Sequence, residues 1–378
     1  MKNVKKQAIL NHKPQWRGSF EEYITAIDWS QDGKSLAIAN AAGEISLYQA
    51  GSKSGKSSGG KLNTLKTADE ASIDCLQFSA DGQWLAAAGQ GGQLQIWDAQ
   101  KLSQGEFEPA VTLDLGGKWI DRLVWHPTIA EFAYSLGKYV QVWSAIEQDI
   151  VATLDFDQST VLALDWHPSG DWLTVGGYKG LKMWQRQDWF NDPVTLELAT
   201  ATNLISWDRG GKYLATDTMD MLVILIGWLG DDFDADPWRL SGFPGKIRDF
   251  VWSYPQADSS DAKPFLVSCS GADIVVWHKI DGATREEETW SGTLLQGHSG
   301  QVNLLTMPAG QNLLTSAGAE GEIMLWDRAK TWLQTLNTSK SEITCVAWQS
   351  GGKKLAAGNE NGEVFIWAEQ TKSAGFGA

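Results

Sequence analysis

Cysteine is scarce in this chain: Cys75, Cys269 and Cys345 are the only three in 378 residues. They are too few and too widely spaced for a disulfide framework or a zinc knuckle, so they read as buried thiols in a reducing compartment. Basic residues are outnumbered, with 31 Lys and Arg against 46 Asp and Glu, a formal charge of −15 and a pI near 4.8. A nucleic-acid face wants the opposite balance, so nucleic acid is not an expected partner. Long apolar runs are missing too. The longest, 221–229, is about half of a bilayer span, and the basic N-terminus MKNVKKQAILNHKPQW has no apolar stretch of signal-peptide length. A cytoplasmic chain without membrane contact is expected. The five histidines (His12, His126, His167, His278 and His298) are not at ligand spacing, and neither a Ser–His–Asp order nor a GxSxG elbow is present. No catalytic residue, metal or cofactor is therefore expected.

Tryptophan, by contrast, is abundant: 21 residues, more than the 12 Phe and 7 Tyr together. Its positions recur. The runs QLQIWD (93–98), YVQVWS (139–144), GLKMWQ (180–185), DIVVWH (273–278), EIMLWD (322–327) and EVFIWA (363–368) each alternate and end in Trp. EISLYQ (44–49) is the same unit with Tyr48, and LVILIG (222–227) puts Ile226 in the slot. Successive slots, at 48, 97, 143, 184, 226, 277, 326 and 367, lie 41 to 51 residues apart, a period near 41 with insertions.

A second run precedes each of these, as in ITAIDWS (24–30), IDCLQFS (73–79), VLALDWHP (161–168) and ITCVAWQ (343–349), followed by a DG, SG or GG turn and a third run such as WLAAAG. A weaker fourth run (TLDL, ATLDF, TLEL) separates the units. Short alternating segments bounded by glycine turns are antiparallel strands, and four of them per unit of about 40 residues make a propeller blade. The expected fold is all-β: a single closed β-propeller over residues 1–368 with a flexible tail at 369–378. Eight blades of four strands are counted, seven being the alternative. Unit eight has only three strands before the chain runs out, so an N-terminal strand, placed at Ala8–Asn11, is expected to complete it and remove the open edges. Fourteen of the 21 tryptophans occupy repeat positions, and packing suffices to explain them.

The chain resembles the WD-repeat family. Unit seven, TLLQGHSGQVNLLTMPAGQNLLTSAGAEGEIMLWD (293–327), carries both family marks, Gly297-His298 and Trp326-Asp327, and unit two ends Trp97-Asp98. The resemblance implies a hydrogen-bonded tetrad of His, Ser or Thr, a turn Asp and the slot Trp. Here the turn position holds Ala42, Gly91, Gly137, Lys179, Asp220, Ala272, Glu320 and Asn361 in the eight units. Only Asp220 conforms, in a unit without His or Trp; unit seven comes nearest with His298, Ser316, Glu320 and Trp326. The blades are thus expected to keep aromatic packing, to drop most of the polar network, and to be held mainly by burial of apolar area.

Two stretches imitate ligand motifs. AGSKSGKS (50–57) fits a relaxed phosphate-loop pattern, but SSGGKLNTL follows where a helix is needed, so it reads as a flexible loop. DDFDADP (231–237) spaces Asp232, Asp234 and Asp236 like a calcium loop, yet Pro237 and Phe243 stand where Gly and Glu are required. It reads as a solvated acidic loop.

The resemblance also implies that the face carrying the outer-to-first and second-to-third strand connections grips partner proteins. Those connections offer Trp16, Arg17 and Tyr23 before blade one and Trp119 before blade three. They also offer Tyr178 and Lys179 in blade four, Met219 in blade five, and Phe243, Lys246 and Arg248 before blade six. Aromatic and Arg side chains among charged loops suit interface anchors. The expected role is a non-enzymatic scaffold, monomeric by itself, that binds one or more proteins. The alternative is a small-molecule or catalytic site at the central channel, for which Asp121, Asp220, Lys246 and Arg248 are the candidates.

Overall fold

The computed structural model describes residues 11–51, 60–157, 159–254 and 263–370. The glycine-rich loop proposed at 50–57, most of the insertion at 253–264 and the tail at 369–378 fall largely outside these residues. Each apolar run named above forms or overlaps a strand, and the strands assemble into eight four-stranded antiparallel sheets. The blades span 24–66, 73–114, 123–155, 161–197, 205–240, 247–295 and 302–337, and the last joins 343–369 to the N-terminal strand His12–Ser19.

Within a blade, the residue pattern follows from what lies on each side. The second strand is covered by neighbouring blades on both faces and loses its alternation: Phe265–Ser270 is buried throughout, and Trp84–Gly89 is buried after its first residue. Small residues are needed there because the blades approach closely. A Cβ on Gly358 of the last blade would stand 2.6 Å from the Cβ of Ile24 in blade one. Outer strands are wetter; only Asn63 is buried in Lys61–Lys66. The core is accordingly divided into clusters shared between blades, as where Ile45 and Leu47 of blade one pack with Leu76, Phe78 and Trp97 of blade two.

The closing strand corrects the sequence expectation in position but not in role. His12 pairs with Glu369 and Ser19 with Glu363, with a register shift between Pro14 and Trp16. The clasp is therefore His12–Ser19, whereas the apolar segment at 8–11 suggested an earlier one; residues 8–10 lie outside the described residues. An outer strand needs little apolar character, so HKPQWRGS gave no strand signal. Trp16 and Arg17, expected in a connection, are thus strand residues. Trp16 packs on Tyr48 at 4.5 Å between ring centroids, while Arg17 pairs with Glu363 and lies over Phe365. The His12 amide and carbonyl both bond the Gln334 side chain of blade seven, tying the clasp across the seam.

To the apolar burial expected to be the main hold on the blades, the structure adds polar anchoring. Unit seven forms the complete tetrad with Glu320 in place of Asp: His298 contacts Glu320 at 2.6 Å and Ser316 at 2.7 Å, and the Trp326 indole donates to Ser316 at 2.9 Å. Elsewhere the polar anchoring has moved to the tryptophans that end the first strands. Trp29, Trp125, Trp166 and Trp252 donate to the backbone carbonyls of Ala347, Gln77, Val124 and Ser206, each in the preceding blade. Trp207 and Trp348 donate instead to the Thr174 and Thr315 hydroxyls there. In the other direction, His126 and His167 donate from Nε2 to the carbonyls of Gly170 and Gly211 in the following blade. Each Nδ1 accepts backbone N–H groups of its own turn, which fixes that tautomer. A buried indole N–H needs an acceptor, and here that need joins blade to blade.

Candidate partner-binding face

In every blade the second-to-third and outer-to-first connections emerge at the same end, here called the upper face, because the strands alternate in direction. The last residue of the second strand often holds them. Asp217 accepts the backbone N–H groups of Asn203 and Leu204 at 2.7 and 2.8 Å, Ser270 bonds both the N–H and the carbonyl of Gly245, and Asn40 accepts the N–H groups of Ala42 and Glu44. The upper connections are short and braced, so their side chains are displayed on fixed backbone.

Four of the expected anchors are exposed on this face: Tyr23, Trp119, Tyr178 and Met219, with Met221 beside the last. Trp119 stands on the loop 115–122, whose Leu115 and Ile120 amides bond the carbonyls of Gly92 and Gly89. Its indole donates to the Asp74 carboxylate at 2.6 Å, which fixes the ring. The Tyr178 amide donates to the Ser159 hydroxyl and that of Met219 to the Thr200 hydroxyl, each reaching the preceding connection. Lys179, in the left-handed region at φ 69°, places its ammonium 5.8 Å from the Tyr178 ring centroid. Between blades three and four, beside Tyr178, Lys138 and Lys182, opens a cavity of about 840 Å³. Trp119, Tyr178 and Met219 thus mark an arc over blades three to five, and Tyr23 stands apart at blade one.

The remaining candidates contribute less. Phe243 is half-buried against Trp277, Lys246 is exposed, and Arg248 donates to Gln301 at 3.2 Å. Trp16 and Arg17 stand on the rim of the last blade. Met221 was missed by sequence reasoning, although its neighbour in the same turn was chosen.

The channel candidates are not brought together. Asp121 accepts the Ser135 hydroxyl at 2.7 Å, Asp220 sits out on the turn of blade five, and Arg248 engages Gln301. Perturbed carboxyls do occur, at positions sequence reasoning did not single out. Burial pushes Asp28 and Asp249 up to about 7 and Asp165 up to about 6, against the opposing pull of the amides they accept. Each carboxylate serves its neighbour. Asp28 accepts the Phe78 amide, Asp165 that of Trp207 and Asp249 that of Leu305, all in the following blade. They are inter-blade braces in three different blades rather than a converging acid–base group.

Cys75 and Cys269 are buried as expected, whereas Cys345 is half-buried; desolvation pushes the Cys345 thiol up to about 12 and raises the other two as well. In the acidic loop, Asp234 is engaged by Arg285 at 3.2 Å and Asp232 caps the Phe233 amide. Among the described residues no group of three or more His, Cys, Asp and Glu could hold a metal ion, and no helix is long and apolar enough to cross a membrane.

Eight radial four-stranded blades, a Trp-centred third strand and one His–Ser–Glu–Trp tetrad define a repeat propeller. Four segments, 59–98, 148–185, 290–327 and 330–368, match the family model described as WD domain, G-beta repeat. Each begins in the outer strand of one blade and runs through the third strand of the next, so the sequence repeat is offset from the structural one. This chain is a WD-repeat β-propeller. Over 95% of its length it is similar to the C-terminal WD40 domain of Sif2, with a TM-score of 0.74, 14% identity and 99% of that chain covered. Telomerase protein component 1 of Rattus norvegicus is 24% identical over 79% of this chain and 9% of its own length. Ribosome biogenesis protein ERB1 of Mycosarcoma maydis is 32% identical over 26% of this chain and 10% of its own. Protein HIR1 of Cryptococcus neoformans is 22% identical over 56% of this chain and 26% of its own. The chain therefore spans about a quarter or less of these curated relatives.

Proposed function

We propose that this propeller is a non-enzymatic scaffold that binds one or more partner proteins on its upper face, through Trp119, Tyr178 and Met219 as anchors. Tyr23, Lys179, Phe243, Lys246 and Arg248 flank them. The observation that carries this reading is the display of large apolar side chains on short connections braced by hydrogen bonds, at an end of the ring where water would otherwise favour polar groups. Anchors that are already ordered lose little conformational freedom on binding. The family supports the same reading, and one similar protein is by its name a component of a telomerase. The ring acts as a monomer in the cytoplasm, away from nucleic acid and membrane, and its −15 charge steers it towards basic partners. The test is affinity purification followed by quantitative mass spectrometry with wild-type protein and a Trp119→Ala/Tyr178→Ala/Met219→Ala variant. Specific partners are expected to be lost from the variant; equal recovery would move the site elsewhere.

A further inference from the structure

The opposite end of the ring carries a second apolar display, in the connections between third and outer strands. In three consecutive blades an inward residue is followed at once by an outward apolar one. Ala145 is buried and Ile146 is 84% exposed; Trp189 packs on Trp166 and Phe190 is 97% exposed; Trp228 packs on Trp172 and Trp207 and Leu229 is 68% exposed. Blade six repeats the arrangement at its strand end, where Lys279 is held by Glu288 and Ile280 is 49% exposed. Trp228 binds its connection to blade four through Trp172, and Arg186 binds its own to blade three through Glu131 at 2.7 Å. The four outward side chains therefore lie along one arc of the lower rim.

The same connections (145–148, 186–193, 228–237 and 281–288) hold eleven carboxylates against two basic residues, Arg186 and Arg285. Both are already paired, with Glu131 and Asp234. Nearby Lys263 pairs with Asp281, and Arg209 and Lys212 lie over the rings of Tyr254 and Tyr213. Asp234, Asp281 and Glu288 are paired with Arg285, Lys263 and Lys279, and the remaining carboxylates surround the apolar side chains with net negative charge. Burying Phe190 and Ile146 favours an apolar ligand, while that charge repels an acidic one.

We infer that this lower arc of blades three to six is a second protein-binding surface, whose occupant is a lysine- or arginine-rich segment with interspersed large apolar side chains. It is separate from the upper face, so a scaffold of this form holds two partners at once on opposite ends of the ring.

The probe is a fluorescein-labelled peptide of alternating leucine and lysine, titrated by anisotropy. It is added to wild-type protein, to an Ile146→Ser/Phe190→Ser/Leu229→Ser/Ile280→Ser variant, and to the upper-face alanine variant described above. The substituted side chains are exposed, so an unchanged thermal midpoint verifies folding. Binding is expected to weaken with salt, to fall at least about tenfold in the serine variant, and to stay unchanged in the upper-face variant. Equal affinity for wild type and serine variant would overturn the inference, reducing the contact to charge alone. So would concentration-dependent self-association of the wild type, abolished by the serine substitutions, because the occupant would then be a second copy of this chain.

Discussion

Trp143 and Trp326 occupy the same slot in blades three and seven, yet replacing each by Phe has different consequences. Both are buried, and both substitutions remove about 40 Å³, which at about 24 cal/mol per Å³ costs about 1 kcal/mol. The polar terms differ in sign. Trp326 donates to Ser316 inside the tetrad, so its loss adds about 1–2 kcal/mol. The Trp143 indole N–H is buried without a partner, so removing it relieves a penalty of about 1–3 kcal/mol. Trp326→Phe should destabilise by about 2–3 kcal/mol, and Trp143→Phe should range from neutral to about 2 kcal/mol stabilising. Trp143→Ala, which empties the pocket lined by Trp84 and Phe132, should cost about 3–5 kcal/mol. Urea unfolding followed by far-ultraviolet circular dichroism measures all three. A Trp143→Phe cost equal to that of Trp326→Phe would refute the polar reasoning, and an unchanged Trp143→Ala midpoint would refute the packing.

Two further outcomes follow from the ring. Deleting residues 1–19 leaves Glu363–Glu369 as an open sheet edge; a lower melting midpoint and concentration-dependent light scattering are expected, and a monomer of unchanged midpoint would contradict the closure. Asp28 and Asp249 titrate near 7 in the folded ring against 3.8 as ordinary carboxyls, so the folded form binds more protons between those values. Their contribution is full below about 4 and is lost as pH rises through 7. The wild-type midpoint should therefore rise between pH 8 and 5.5, and Asp28→Asn/Asp249→Asn should show a shallower rise although it is less stable at both values. Parallel slopes would contradict this assignment.

Much of the architecture was legible because a blade repeats a few strong signals. A Trp closing an alternating run located six of the eight third strands, and the same run with Tyr48 or Ile226 in the slot located those of blades one and five. The clasp was misplaced because His12–Ser19 is an outer strand, half in water and interrupted at Pro14, with no alternation to detect. The tryptophan braces between blades were invisible for another reason. Trp29 and Trp166 look like core residues in one dimension, and only the ring closure brings the Ala347 and Val124 carbonyls to their indoles. Asp28 and Asp165, each just before such a Trp, carry no mark of burial in the sequence, because their amide partners lie in the next blade. The exposure of Trp119, Tyr178 and Met219 on upper connections was legible because those connections were assigned from the strand order. Phe190 and Ile146 were overlooked because the connections between third and outer strands lay at the other end of the blades.

The proposal that the upper face binds protein is tested most directly by hydrogen exchange on the ring alone and bound to the partner most depleted from the upper-face variant. Slowed exchange in 116–122, 178–179 and 218–222 is predicted, since those connections carry the anchors. Protection absent from all three, and confined to the lower connections or to the strands lining the channel, would contradict the account.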